Sequence, residues 1–243
     1  MQLFRQTVLV AALFTVPAWS LQAQTPAADP SGHWQGMLQA PGLDLEFEVD
    51  LAKDGRGELA GSVSIPAQKL KGLPLLKVTV DGGTVTFYAR SDQPLRGVLS
   101  ADGTSMSGDF LAGGNTVPFT MKRIGDGRVA LAATSAPIGK ELEGAWNGTL
   151  ETSGMQLRLI LTLVNQPDGT AIGHIVNLDQ GGLRLPLLVT QKGSSVTLDS
   201  TVVPSSFAGT LNPAATELAG TFSQGTLSVP VTFHRAAATD GKR

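Results

Sequence analysis

The sequence repeats itself at one spacing. GHWQGMLQAPG at 32–42 returns as GAWNGTLETSG at 144–154, LRGVL at 95–99 as FAGTL at 207–211, MSGDF at 106–110 as LAGTF at 218–222, and VPFTMKR at 117–123 as VPVTFHR at 229–235, each 112 residues further on. Identities at the same offset include Trp34/Trp146, Gly61/Gly173, Gln68/Gln180, Pro74/Pro186 and Arg123/Arg235. A single offset held over such a span marks a duplicated unit, and the unit must be one that about 90 residues can close on their own. The chain therefore divides into a first repeat at 32–124 and a second at 142–236. A linker rich in small residues (125–141) joins them, with a short segment before (24–31) and a polar tail after (237–243).

Within each repeat the apolar residues alternate. The first copy reads as eight short runs: HWQGMLQ, LDLEFEVDL, GELAGSVSI, LKVTV, TVTFYA, LRGVLS, SMSGDF and VPFTMKR. PG, KDGRG, DGG, ADGT and AGGN fall between them, which is the turn chemistry of hairpins. No helical period intervenes. Consecutive strands joined by short turns make an antiparallel meander, and eight strands can remove their exposed edges by closing. The expected fold is all-β: two tandem eight-stranded up-and-down barrels, with a pair of β-sandwiches as the alternative. With Trp34 inward, Leu38, Leu45, Phe47, Val49, Leu59, Val63, Phe87, Leu99, Phe110, Phe119 and Met121 share its parity. Trp146, Leu150, Leu157, Leu159, Leu161, Ile175, Leu198, Leu211, Phe222 and Phe233 do the same in the second copy.

Export is expected from residues 1–23. Arg5 supplies a positive start, TVLVAALFTVPAW an apolar stretch, and Ala23 a small residue at which to cleave. The apolar stretch is shorter than the ~20 residues a membrane span needs. The chain has no cysteine, so neither a lipid anchor nor a disulfide is expected, and the core alone must hold each repeat. Net charge is −2 with the basic residues scattered, which argues against a nucleic-acid partner. The expected location is the periplasm or the medium.

Two motifs end each repeat: Gly32-His33-Trp34 with Arg123, and Gly144-Ala145-Trp146 with Arg235. This pairing resembles the calycin superfamily, which includes lipocalins, fatty-acid-binding proteins and avidins. The resemblance implies that the indole plugs one end of the barrel and the guanidinium lies on its face, a structural role for Trp34, Arg123, Trp146 and Arg235. The whole repeat is also similar to a module of secreted bacterial proteins that precedes α/β-hydrolase domains. That similarity rests on W-x-G-x-L, on Gln68 with Pro74-Leu75 and Gln180 with Pro186-Leu187, and on G-x-F followed by VP. A G-x-S-x-G nucleophile elbow is missing, so the second resemblance implies an accessory or binding role.

Several residues invite a chemical reading. Asp44, Glu46, Glu48 and Asp50 line one face of the second strand, but the matching face in the second copy carries Gln156, Arg158, Ile160 and Thr162. Acids two apart on a strand lie about 6–7 Å apart, so the row reads as a solvated face, with a calcium site as the alternative. His33, His174 and His234 all have outward parity and none has metal-ligand spacing, so no metal and no cofactor are expected. The inward glycines, Gly36, Gly61, Gly97 and Gly108 with Gly148, Gly173, Gly209 and Gly220, either bend strands around a packed core or leave room for a guest. For a guest, the lumen residues are Trp34, Phe47, Phe87, Phe110, Trp146, Asn177 and Phe222. The segments at 66–76 and 179–189 read as lids over a barrel mouth or as crossovers packed by their leucines. The resulting expectation is an exported, non-enzymatic binding protein that carries a hydrophobic small molecule in a lumen. The alternative is an accessory module for an extracytoplasmic protein, with a hydrolase as the weaker third.

Overall fold

The computed structural model of the chain describes residues 28–40, 42–130, 134–152 and 154–237. The export segment at 1–23 and the end of the tail lie outside the described residues. The first repeat contains β1 (Gly32–Ala40), β2 (Leu43–Lys53), β3 (Leu59–Ile65), a 3-10 turn (Pro66–Gln68), β4 (Leu70–Pro74), β5 (Lys77–Asp81), β6 (Thr84–Arg90), β7 (Gln93–Leu99), β8 (Ser105–Ala112) and β9 (Asn115–Gly125). The second contains β10 (Gly144–Thr152), β11 (Met155–Asn165), β12 (Ala171–Asn177), β13 (Arg184–Lys192), β14 (Ser195–Ser200), β15 (Ser205–Leu211), β16 (Glu217–Gln224) and β17 (Leu227–Arg235). Every ladder is antiparallel, and the hairpin turns fall where the glycines predict. Gly113 and Gly114, at φ 56° and 81°, supply the two positive angles that a tight β8–β9 hairpin requires.

The second repeat closes as expected: β10 through β17 form a ring, with β10 pairing both β11 and β17. Its fourth strand makes the ring in two halves. Residues 184–187 of β13 pair with β12, and residues 188–192 pair with β14.

In the first repeat that strand is broken in two. The ladder runs β4-β3-β2-β1-β9-β8-β7-β6-β5, nine strands with two ends instead of the eight-stranded closed ring expected for this copy. The chain itself connects the two ends through Leu75 and Leu76, whose N–H groups donate to Gly61 O on β3 (2.9 Å) and to Tyr88 O on β6 (2.8 Å).

One residue accounts for the break. Pro74 and Pro186 match at an offset of 112, but Lys77 faces Tyr88 as Leu188 faces Asp199, 111 residues on. The first copy has Leu75 and Leu76 where the second has Leu187 alone. An added residue disrupts the ladder locally and bends the strand. The second copy recovers the offset in the turn at 201–204, which is longer than the two residues joining β6 to β7. The segment at 66–76 is therefore not a lid; it is packed by its leucines, and its strand ends at the proline. Its second half is β4, with Leu70 and Leu73 buried in the first core.

That longer turn joins the copies. Val202 is 3% exposed and belongs to the first repeat's apolar cluster, with Leu183, Leu185 and Val203 packed around it. Its carbonyl accepts the N–H of Lys71 at 2.8 Å, and Arg90 donates to the carbonyl of Gly181. The described part of the linker is pinned as well. Ser135 bridges Ala171, and its hydroxyl accepts Val189 N–H at 2.7 Å.

Candidate functional site

The two plugs are built alike. Trp34 pairs with Arg123 across β1 and β9, and the guanidinium carbon lies 4.9 Å from the indole centroid. Trp146 and Arg235 repeat this at 4.2 Å. Both indoles are fully buried, and their N–H groups donate to Pro30 O (2.9 Å) and Leu142 O (3.0 Å), residues again 112 apart. The guanidinium anchorage differs. Arg235 donates to the carbonyls of Ala215, Glu143 and Glu141. Arg123 donates to Asp29 O, while its buried Nε has no partner among the described residues.

Both lumens are filled by side chains. In the first, Phe119 meets Phe47 and Phe87 edge-on at 6.1 and 6.3 Å. A Cβ placed on Gly36 would come within 2.6 Å of Phe47, and one on Gly97 within 2.6 Å of Met106. The inward glycines thus make space for neighbouring core groups. In the second, Phe207 meets Phe233 at 5.4 Å, and the hollow lined by Leu159, Phe207, Phe222 and Phe233 amounts to about 30 Å³, room for about one water. Of the expected lumen residues, Trp34, Phe47, Phe87 and Trp146 are buried core, and Phe110 and Phe222 are half-buried at its margin. Asn177 is not a lumen group. Its side-chain oxygen accepts the N–H groups of Asp179 and Gln180, and its amide donates to Gln180, closing the turn after β12.

The large cavity lies between the repeats. It encloses about 770 Å³, within the range of small-molecule sites. Its floor is the outward face of β1–β3, where alternation brings His33, Glu48, Asp50, Ser62 and Ser64 to one side. Lys71 and the linker residues Asp126 and Arg128 stand at its edges, and Pro186, Leu188, Thr201 and Val202 form the opposite wall. One wall is polar and charged; the other is mostly apolar. Both places where the copies depart from strict duplication, the break after Pro74 and the turn at 201–204, border this cleft.

The floor is ordered by cross-strand pairs. His33, Asp50 and Ser62 are neighbours in register across β1, β2 and β3. His33 Nδ1 lies 3.0 Å from Asp50 Oδ1, which also accepts Arg128 N–H at 2.9 Å. The row holds the residue types of a hydrolytic triad in the wrong order. The carboxylate sits between the imidazole and the serine, two strand spacings (about 10 Å) separate the latter pair, and Ser62 Oγ accepts Ala130 N–H at 3.2 Å. Glu48 and Ser64 are the next pair along. Among the described residues, no cluster of three or more His, Asp or Glu side chains is arranged to hold a metal, and no helix is long and apolar enough to cross a membrane.

A smaller hollow of about 160 Å³ lies beside the cleft, past Pro74 and Pro186. There burial, with Arg184 2.9 Å from its ring, pushes His174 down to about 4. All three histidines keep outward parity: His33 pairs with Asp50, His174 with Arg184, and His234 is exposed. The acidic row splits: Asp44 and Glu46 are exposed, while Glu48 and Asp50 are half-buried in the cleft. Sequence reasoning looked for a site inside the barrels and did not find the cleft. The available signal was the loss of the floor residues in the second copy, where Ala145, Ile160, Thr162, His174 and Val176 stand at the positions of His33, Glu48, Asp50, Ser62 and Ser64.

No protein-family model matches the chain, and no curated protein matches it. Among solved structures, a provisionally assigned outer membrane protein of Bacteroides fragilis shares 10% identity over 85% of this chain and 98% of its own, with a TM-score of 0.25. A protein of unknown function from the DUF3598 family of Nostoc punctiforme shares 14% over 85% and 96%, with a TM-score of 0.23. Isotype 1 transferrin binding protein B of serogroup B Neisseria meningitidis shares 11% over 80% of this chain and 52% of its own, with a TM-score of 0.26. Scores at this level carry no functional inference, and the fold rests on the strand register of the chain itself.

Proposed function

We propose that this chain is an exported, non-enzymatic binding protein whose ligand sits in the cleft between the two repeats. The observation that carries the reading is the contrast in volume. The cleft encloses about 770 Å³ and the hollow in the second barrel about 30 Å³. A hydrophobic guest inside the second barrel, one form of the lipid-carrier reading that the calycin resemblance favours, has far less room than the cleft offers. Export rests on the apolar N-terminal segment with Arg5 before it. A non-catalytic role rests on the order of the His33–Asp50–Ser62 row, which gives His33 no serine to activate.

An accessory role toward an extracytoplasmic protein is the second reading, and the same cleft favours it, since a partner segment fits there as a free ligand would. The test is native mass spectrometry of the protein purified under mild conditions, beside Thr201→Trp, which places an indole in the cleft from an exposed turn. Ligand mass on the wild type that is lost in Thr201→Trp is the expected result. Ligand retained by the variant contradicts the cleft. Turnover of ester substrates would contradict the non-enzymatic reading.

A further inference from the structure

The linker shows what the cleft floor can bind. Residues 125–130 run over the outward face of β1–β3, and alternate backbone N–H groups are taken by side chains of that face. Arg128 N–H goes to the carboxylate of Asp50 at 2.9 Å, and Ala130 N–H to the hydroxyl of Ser62 at 3.2 Å. Asp50 and Ser62 are cross-strand partners. An acid and a serine side by side on adjacent strands thus hold two N–H groups of an extended chain.

Glu48 and Ser64 repeat that pair one step along the same two strands. They face the open cleft. Ser64 Oγ accepts Gly72 N–H at 2.9 Å, which leaves its hydroxyl proton to donate. Glu48 is half-buried and, among the described residues, accepts no hydrogen bond and has no ion-pair partner. An unpaired carboxylate on the wall of a cleft is a ready acceptor for a cationic donor, which it holds by a charge-assisted hydrogen bond. Lys71 and Arg128 at the cleft's edges likewise form no ion pair within 4.0 Å among the described residues. On the facing wall Pro186 and Leu188 are half-buried and offer apolar surface.

From this geometry we infer that the cleft takes a short peptide with free termini and apolar side chains. Its ammonium end lies on Glu48, its first carbonyl accepts from the Ser64 hydroxyl, its side chains lie against Pro186 and Leu188, and its carboxylate end lies toward Lys71 and Arg128. Both signs of charge and both walls are then used. A fatty acid would leave Glu48 unpaired, and a polyamine would leave the cations and the apolar wall unused. The inference rests on the cleft being the binding site.

The test is calorimetric titration with tri-leucine, N-acetyl-tri-leucine and tri-leucine amide, on the wild type and on Glu48→Gln and Lys71→Gln. Tri-leucine should bind. Acetylation should weaken binding at least tenfold, and amidation less. Glu48→Gln should weaken tri-leucine by a factor close to that of acetylation and leave the acetylated peptide unaffected; Lys71→Gln should remove the preference for the free carboxylate. Unchanged thermal unfolding of the variants shows that any loss is local. Equal binding of free and acetylated peptide, an acetylation penalty that survives Glu48→Gln, or no binding of tri-leucine would each overturn the inference. If tri-leucine fails while Thr201→Trp still strips a co-purified ligand, the peptide falls and the cleft stands. If that ligand survives Thr201→Trp, both fall.

Discussion

The two repeats share their interior and differ on their outside. Trp34 and Trp146, Arg123 and Arg235, and the carbonyl acceptors of both indoles recur at matched positions. Core positions are fixed by the geometry of a small barrel, in which each side chain must fit its neighbours. The outward face of β1–β3 is under no such constraint, and there the copies part: His33, Glu48, Asp50, Ser62 and Ser64 in the first, Ala145, Ile160, Thr162, His174 and Val176 in the second. The backbone differences lie beside the same face, at the break after Pro74 and in the turn at 201–204. What the two copies keep is what the fold requires; what they change lines the cleft.

The comparison breaks most readily at the plugs. Trp34→Ala and Trp146→Ala should each destabilise by about 3–5 kcal/mol, read by urea unfolding, because each removes a fully buried indole. A small loss at either site would mean that the two plugs are not equivalent. The guanidinium anchorage sharpens the contrast. Arg235 donates to three carbonyls and Arg123 to one, so Arg235→Met should cost about 1–2 kcal/mol more than Arg123→Met in the same assay.

A smaller effect separates the copies by pH. His174, at the position of Ser62, titrates near 4 when folded against about 6.5 when free, because burial and Arg184 oppose its charge. Below pH 6.5 the unfolded chain binds a proton that the folded chain refuses, so stability is full above that pH and falls as pH drops toward 4. His174→Gln should remove that part of the pH dependence, about 1 kcal/mol after screening of a half-exposed group. The smallest effect concerns one backbone angle. Gly103 and Ala215 occupy the same turn at φ 68° and 53°. Ala215→Gly should stabilise by less than about 1 kcal/mol and Gly103→Ala should destabilise by about that much, both visible as shifts in Tm.

Much of the fold was legible in the chain. Alternation and turn residues located most of the strands, and the duplication set the boundary between the copies. The core around Trp34 and Trp146 follows from parity alone. The broken fourth strand was not legible, because a one-residue slip over β5–β6 hides inside an offset of 112 that holds on both sides of it. Nor was the site. Periodicity reports which face a side chain takes and not what packs over that face. Glu48 and Asp50 therefore read as a wet surface until the linker and the 201–204 turn were seen to wall them in. Asn177 misled for a related reason: inward parity at a strand end does not bring a side chain into the lumen when a turn can bind it.

The central claim is that ligands enter between the repeats and not within them. Amide chemical-shift mapping with tri-leucine, and separately with a medium-chain fatty acid, tests it most directly. The account predicts that the shifts produced by a binding probe gather at Ser62, Ser64, Lys71, Arg128 and Val202, with Phe207 and Phe222 unmoved. Shifts centred on Phe207, Phe222 and Phe233 inside the second barrel would contradict it.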